Sequence, residues 1–103
     1  MHPIVEAKLP EIAELCRRHH VKRLELFGSA ATGKFDPKRS DFDFLVEFLP
    51  DAPRRAFAGY FDLKEDLEAL FGRSVDLVDI SAIRNPYFRQ AINQGRRVLL
   101  YAA

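Results

Sequence analysis

The most regular alternation of apolar and polar positions in this chain runs over residues 42–48 and predicts a β-strand. One set of alternate positions is entirely apolar: Phe42, Phe44, Val46 and Phe48. Because successive side chains of a strand point to opposite faces of a sheet, these four share one face. We expect that face to lie in the core. A similar but weaker alternation predicts a strand over Val21–Phe27.

Apolar positions at spacings of three and four predict helices elsewhere. The first predicted helix begins near Pro10 and carries Ile12, Leu15 and Cys16 on one side. The longest runs from Arg54 to Phe71, where Gly72 suits a helix end. A last helix is expected to begin at Asn85 and Pro86 and to end at Gly95.

Two more strands are predicted, over Ser74–Ile80 and Val98–Tyr101. Strands that alternate with helices indicate an α/β or α+β fold with a small mixed sheet flanked by helices. The 103 residues contain no internal repeat and no linker-like change in composition. We therefore expect one domain over residues 1–103, since a chain of this length suits a single modest core.

Composition limits the classes of function. The net charge of +1 and the lack of a basic stripe argue against binding to an extended nucleic-acid duplex. The single cysteine, Cys16, excludes an intrachain disulfide and is expected to be a packed core residue. No stretch approaches the roughly twenty apolar residues that cross a bilayer, so we expect no membrane contact and a cytoplasmic location.

Candidate chemistry lies between the first two predicted strands. Gly28 and Ser29 end the first strand at a turn where backbone N–H groups could bind a phosphate. Asp41 and Asp43 open the second strand two residues apart, so their carboxylates would project from one face and share divalent cations. The order of these features indicates a metal-dependent nucleotidyl-transfer site.

The segment from Leu26 to Val46 resembles the signature of the polymerase-beta-like nucleotidyltransferase superfamily, and the chain resembles its minimal members, the MNT proteins. Many of those are antitoxins paired with HEPN-domain toxins. The resemblance extends to Ser74–Val78, which matches the strand that carries the third carboxylate of the family, and to Phe88–Tyr101, which is similar to its closing helix and strand. It implies an α+β palm fold.

The resemblance also implies roles for particular residues. Asp41, Asp43 and Asp76 would be the catalytic carboxylates and the ligands of a two-metal Mg²⁺ site, while Gly28 and Ser29 would bind the phosphates of ATP. Asp76 would also accept the proton of the attacking hydroxyl.

The alternation of a strand provides a check on Asp76. Asp76 and Asp79 are three apart and must point to opposite faces, so only one can join Asp43. We favour Asp76, because Asp79 lies at the strand end and could cap the turn at Ser81. Glu47 shares a face with Asp43 but lies about 13 Å along the strand, too far for the same metal cluster.

Two positions depart from the family pattern. The spacer of eleven residues between Ser29 and Asp41 is one longer than is common among the small bacterial members. Thr32 stands where many relatives have a basic residue. Lys34, Lys38 or Arg39 could replace that charge.

Three functions remain open. The first is transfer of AMP from ATP to a hydroxyl of a partner protein, expected to be a tyrosine of a HEPN ribonuclease toxin that is thereby silenced. The second is a non-catalytic antitoxin that acts by direct binding. The third is a small-molecule nucleotidyltransferase of the aminoglycoside type, whose acceptor pocket is completed by a second subunit.

Overall fold

The computed structural model describes residues 2–28, 31, 42–50, 58–83, 85–87, 90, 95 and 97–103. Two of the predicted site residues, Ser29 and Asp41, lie outside the described residues. So do residues 54–57 of the predicted long helix and most of the helix predicted after Pro86.

The described elements follow the predicted alternation of helices and strands. They are α1 (Pro3–Ala7), α2 (Leu9–Arg18), β1 (Val21–Phe27), β2 (Phe42–Phe48), α3 (Ala58–Phe71), β3 (Val75–Asp79), a short 3₁₀ helix (Ile80–Ala82) and β4 (Val98–Ala102). The strands form one sheet in the order β3-β2-β1-β4. In it β1 pairs antiparallel with β2 and β4, while β2 pairs parallel with β3, which confirms the predicted small mixed sheet.

The N-terminal helical region is the main departure from the predicted elements, because it contains two helices rather than one. Lys8, with φ −108° and ψ 13°, separates α1 from α2. Pro10 explains the break: it has no N–H to donate to the carbonyl of Glu6, and it fits the first turn of a new helix. His2 caps α1, since its Nδ1 accepts a hydrogen bond of 3.1 Å from the backbone N–H of Ile4.

The core lies between one face of the sheet and the helices. The strands contribute eight side chains that are at most 5% exposed: Val21, Leu24, Leu26, Phe42, Phe44, Val46, Val75 and Leu77. The helices contribute Val5, Ile12, Cys16, Leu63 and Leu67, all fully buried. The aromatic face of β2 is therefore in the core, as predicted.

Two irregularities in strand pairing bring extra apolar side chains to this core. The register of β1 against β2 shifts between Val21 and Arg23, and Val21 and Leu24 are both buried as a result. The register of β4 against β1 shifts opposite Leu24 and Glu25. Leu100 and Tyr101, although adjacent, both pack against the core.

Polar contacts fix the ends of the helices. His19 is the C-terminal cap of α2, and its Nε2 lies 2.6 Å from Oδ2 of Asp66 on α3. Gly72 ends α3 with φ +65°, as predicted. The backbone N–H of Tyr87 donates to Oδ1 of Asn85 at 2.9 Å, which confirms the predicted helix entry.

None of the helices that the structure describes has the length and apolar character needed to cross a membrane.

Candidate functional site

The sheet face opposite the core carries the acidic candidates, and we call it the carboxylate face, defined by Glu25, Asp43, Leu45 and Asp76. It consists of the alternate residues of β1, β2 and β3 that do not pack against α2 and α3. The residues lie in rows across the strands, because paired residues of neighbouring strands share a face.

The first row contains Phe27, Asp43 and Asp76. Asp43 is paired with Phe27 on β1 and with Asp76 on β3. The two aspartates thus lie directly beside each other on parallel strands whose backbones are about 4.8 Å apart. Asp76 is exposed and Asp43 partly exposed. Two neighbouring carboxylates repel each other, and a divalent cation with oxygen ligands relieves that repulsion.

Gly28 follows β1 directly and closes one side of this row. Its φ of +74° lies in the left-handed region that favours glycine. A β-carbon on Gly28 would overlap Oδ2 of Asp43 and lie 3.1 Å from its Cγ. The carbonyl of Gly28 accepts a hydrogen bond of 3.1 Å from the N–H of Ala31, which makes the turn. The absence of a side chain at Gly28 therefore makes room for the Asp43 carboxylate, a reason that the sequence did not reveal.

The structure brings together three of the five candidate site residues: Gly28, Asp43 and Asp76. The roles assigned to them remain predictions. Within the described part of the chain, no three His, Cys, Asp or Glu side chains form a metal-binding group. Asp41, the other predicted ligand, lies outside that part.

Asp79 and Glu47, which the sequence excludes from the metal cluster, have the surroundings that it predicts. Asp79 caps the 3₁₀ helix, since its Oδ1 accepts hydrogen bonds from the N–H and Oγ of Ser81 at 3.0 and 2.7 Å. It points away from the carboxylate face, because it alternates with Asp76 along β3. Glu47 is on the surface and pairs with Lys22 at 3.6 Å.

Glu25 is the acidic residue whose environment the sequence did not predict. It lies in the second row of the carboxylate face, paired with Leu45, and is only 7% exposed. Its Oε1 lies 3.1 Å from Nε of Arg23 and its Oε2 lies 3.4 Å from Nε of Arg97. The alternation in β1 places Glu25 on this face, but the covering Arg97 comes from the far end of the chain.

A shallow pocket of about 200 Å³ opens beside Glu25. It is lined by Arg23, Glu25, Leu45, Val46, Glu47, Ile80 and Arg97. Leu45 is part of a small apolar cluster on this face, separate from the main core, in which it packs with Ile83, Phe27, Val78 and Ile80. The pocket therefore has an apolar floor and a charged wall.

Comparisons with known proteins show the family to which the chain belongs. A family model described as a nucleotidyltransferase domain matches residues 9–99. A Methanocaldococcus jannaschii protein provisionally named a protein adenylyltransferase is 37% identical over 94 residues, which span 84% of this chain and 92% of the relative.

Solved structures show the same fold. One provisionally described as a minimal nucleotidyltransferase superposes with a TM-score of 0.74 and 31% identity, over 93% of this chain and 94% of the other. A complex of a tri-AMPylated Shewanella oneidensis HEPN toxin with an MNT antitoxin gives a TM-score of 0.65 at 19% identity, over 96% of this chain and 73% of the matched chain.

The matches cover nearly all of the chain, including Gly28, Asp43 and Asp76. They confirm the resemblance that the segment from Leu26 to Val46 indicates. The chain belongs to the nucleotidyltransferase domain family, and it is a nucleotidyltransferase.

Proposed function

We propose that this chain transfers AMP from ATP to a hydroxyl group of a partner protein, and that the partner is a HEPN-domain toxin silenced by modification of a tyrosine. The observation that carries the proposal is the pairing of Asp43 with Asp76 beside the turn at Gly28. The name of the Methanocaldococcus relative supports a protein acceptor, and the AMPylated toxin beside a similar fold supports the class of partner.

The donor set fits Mg²⁺. Asp43 and Asp76 present carboxylate oxygens from neighbouring strands, the ligand type that this hard cation prefers. With Asp41 they would hold the ion, which when bound neutralises phosphate charge and polarises the α-phosphoryl group. Gly28 and Ser29 would bind the outer phosphates of ATP through their backbone N–H groups.

In the transfer step, the oxygen of the acceptor hydroxyl attacks the α-phosphorus of ATP and forms the new P–O bond. The bond between the α-phosphorus and the bridging oxygen to the β-phosphate breaks, and pyrophosphate leaves with the electron pair. The hydroxyl proton passes to the carboxylate of Asp76. Asp43, Asp76 and the turn at Gly28 would align the acceptor hydroxyl with the leaving pyrophosphate.

The position of Asp76 favours a large acceptor. Asp76 is exposed and lies on β3, at one edge of the described sheet. A hydroxyl that extends from the surface of another protein can reach such a position. A small molecule would need walls that enclose it, and the pocket described above lies one row away, beside Glu25.

The test is the intact mass of a HEPN-domain partner from a neighbouring gene, co-expressed with this chain or with the Asp41→Asn, Asp43→Asn double mutant. We expect adenylyl groups on a tyrosine of the partner only with the unchanged chain. An unmodified partner that still co-purifies and is still inhibited would contradict the proposal and establish inhibition by binding. Transfer to aminoglycosides but not to the partner would establish the small-molecule function.

A further inference from the structure

The three tyrosines of this chain differ in the accessibility of their hydroxyl groups. The hydroxyl of Tyr60 donates a hydrogen bond of 2.5 Å to the backbone carbonyl of Leu77. Tyr101 is half-buried and packs against the core. Tyr87, in contrast, is 81% exposed. An acceptor oxygen must come within about 3–3.5 Å of the phosphorus that it attacks, so Tyr87 is the tyrosine that the site of another molecule can engage.

The backbone at Tyr87 is held in one conformation. Pro86 and Tyr87 form the first turn of a helix, and the N–H of Tyr87 donates to Oδ1 of Asn85 at 2.9 Å. The ring of Pro86 fixes its own φ at about −65°. A side chain on a fixed backbone loses less conformational freedom on binding than one on a free loop. Tyr87 is therefore presented to solvent in a form that is ready to be bound.

The charge of the segment around Tyr87 complements the charge of the carboxylate face. In the sequence, Arg84 precedes Tyr87 by three residues and Arg89 follows it by two, with no acidic residue between them. The carboxylate face presents Asp43 and Asp76, and a bound triphosphate adds further negative charge. Opposite charges favour the encounter of two surfaces and orient them. The segment that carries Tyr87 thus has the charge expected of an acceptor.

Tyr87 also lies on the same side of the molecule as the site. Ile83 packs on the carboxylate face against Leu45, which follows Asp43 by two residues on β2. Tyr87 is four residues beyond Ile83, and four residues span at most about 14 Å. In a two-fold pair the same surface of each molecule meets the other. One such contact between two copies therefore brings each Tyr87 toward the site of the other copy.

We propose that Tyr87 of one copy accepts AMP from ATP bound at the site of a second copy. The phenol oxygen of Tyr87 bonds to the α-phosphorus, and pyrophosphate leaves with the electron pair of the bridging oxygen. The phenol proton passes to Asp76 of the second copy, which is exposed on the edge strand β3. The inference rests on the proposed function in taking AMP transfer from ATP to a tyrosine, and it adds this chain itself as an acceptor.

Two variants that each lack one half of the reaction test this assignment. Asp43→Asn keeps the acceptor but loses the site, whereas Tyr87→Phe keeps the site but loses the acceptor. The two are co-expressed without a HEPN partner, so that mixed pairs can form, and tags of different length separate their intact masses. We expect an AMP increment on Asp43→Asn in the mixture, mapped to Tyr87 by peptide mass spectrometry, and none on either variant expressed alone.

Tyr101→Phe is the matched control, because it removes a tyrosine that packs against the core. The folded variant should gain the same AMP increment as the unchanged chain. Asp76→Ala serves as a second inactive acceptor, in case Asp43→Asn fails to fold. Failure to label Tyr87 in both mixtures would overturn the inference. So would an AMP group on another residue, or labelling of the unchanged chain without labelling in the mixtures, which would mean transfer within one molecule.

The outcomes for this inference and for the proposed function are distinguishable. Modification of the HEPN partner without modification of Tyr87 would overturn the inference and leave the proposed function intact. Modification of Tyr87 together with an unmodified HEPN partner would support the inference and contradict the proposed partner. Absence of AMP from both proteins would overturn both.

Discussion

The two faces of the sheet are made by the same strands but differ in burial and in charge. On β2 the core face holds Phe42, Phe44 and Val46, all at most 1% exposed, whereas Asp43 on the other face is partly exposed beside a second carboxylate. One face contributes stability by burial, and the other brings together like charges that burial would penalise. Adjacent residues of one strand should therefore respond to substitution in opposite ways.

Asp43→Asn should give the largest functional loss. Removal of one charge from the pair should lower transfer by about 10³-fold or more, since electrostatic stabilisation by a bound cation is worth several kcal/mol. The free energy of unfolding without metal should stay the same or rise, because repulsion with Asp76 is relieved. Transfer assays and urea unfolding check both halves, and a marked fall in stability would show that Asp43 is structural.

Phe44→Ala, one residue along, should give the largest loss of stability. Phe44 is fully buried and its ring centroid lies 5.9 Å from that of Phe71. Removal of a core phenylalanine costs about 3–5 kcal/mol. Urea unfolding at 25 °C measures the change. A cost below about 1 kcal/mol would contradict the assignment of this face to the core.

Asp76→Ala and Asp79→Ala compare the two carboxylates of β3. Loss of a general base should lower transfer by at least about 10²-fold while nucleotide still binds. Asp79→Ala should keep activity and lose about 1 kcal/mol of stability, because it removes the cap at Ser81. Kinetics together with thermal unfolding separate the two. Retained turnover in Asp76→Ala and lost turnover in Asp79→Ala would exchange their roles.

Gly28→Ala should affect both properties, since this residue links the strand to the carboxylates. The positive φ alone should cost about 1–3 kcal/mol. Overlap of the new β-carbon with Asp43 should also displace that carboxylate and weaken nucleotide binding. Gly72→Ala is the control, because Gly72 has a φ of +65° with open space around it. It should lose stability alone, and equal loss of nucleotide binding in both variants would refute the role of the close contact.

The smallest expected effect concerns Cys16, on the core side. Burial raises the pKa of its thiol from about 9 to about 12, an increase that Arg17 partly opposes. The folded thiol stays neutral where the unfolded one ionises, so its contribution to stability is complete below pH 9 and is lost as the pH rises toward 12. Unfolding at several alkaline pH values should show a smaller decline in Cys16→Ala. An identical decline would show that the thiol is not buried as described.

Local patterns predicted the strands and the helix ends well. The bounds of β1 and β2 match the predicted ones, because alternation and the flanking Gly28 are encoded within a few residues. The caps at Asn85 and Gly72 follow from side-chain chemistry and backbone freedom at single positions. The break at Lys8 was also encoded locally, at Pro10, but the prediction used the proline only as a helix start.

What could not be predicted depends on contacts between distant segments. The burial of Glu25 requires Arg97, and the register shift in β4 depends on how that strand meets β1. The placement of Asp76 beside Asp43 could be predicted, because alternation allows only one of Asp76 and Asp79 on that face. Asp79 lies at the strand end, where it can cap the next turn, so Asp76 was favoured. Ser29 and Asp41 lie outside the described residues, so their roles stay predictions.

The parallel pairing of β2 with β3 also affects when the site can form. Asp43 and Asp76 are 33 positions apart, and parallel strands need a crossover, which here contains α3. A chain that has made only the local β1–β2 pair still lacks the second carboxylate. Since contacts between distant residues form late and slowly, we expect the site to be assembled among the last steps of folding. A nascent or partly unfolded molecule would then be inactive, so turnover would report complete folding.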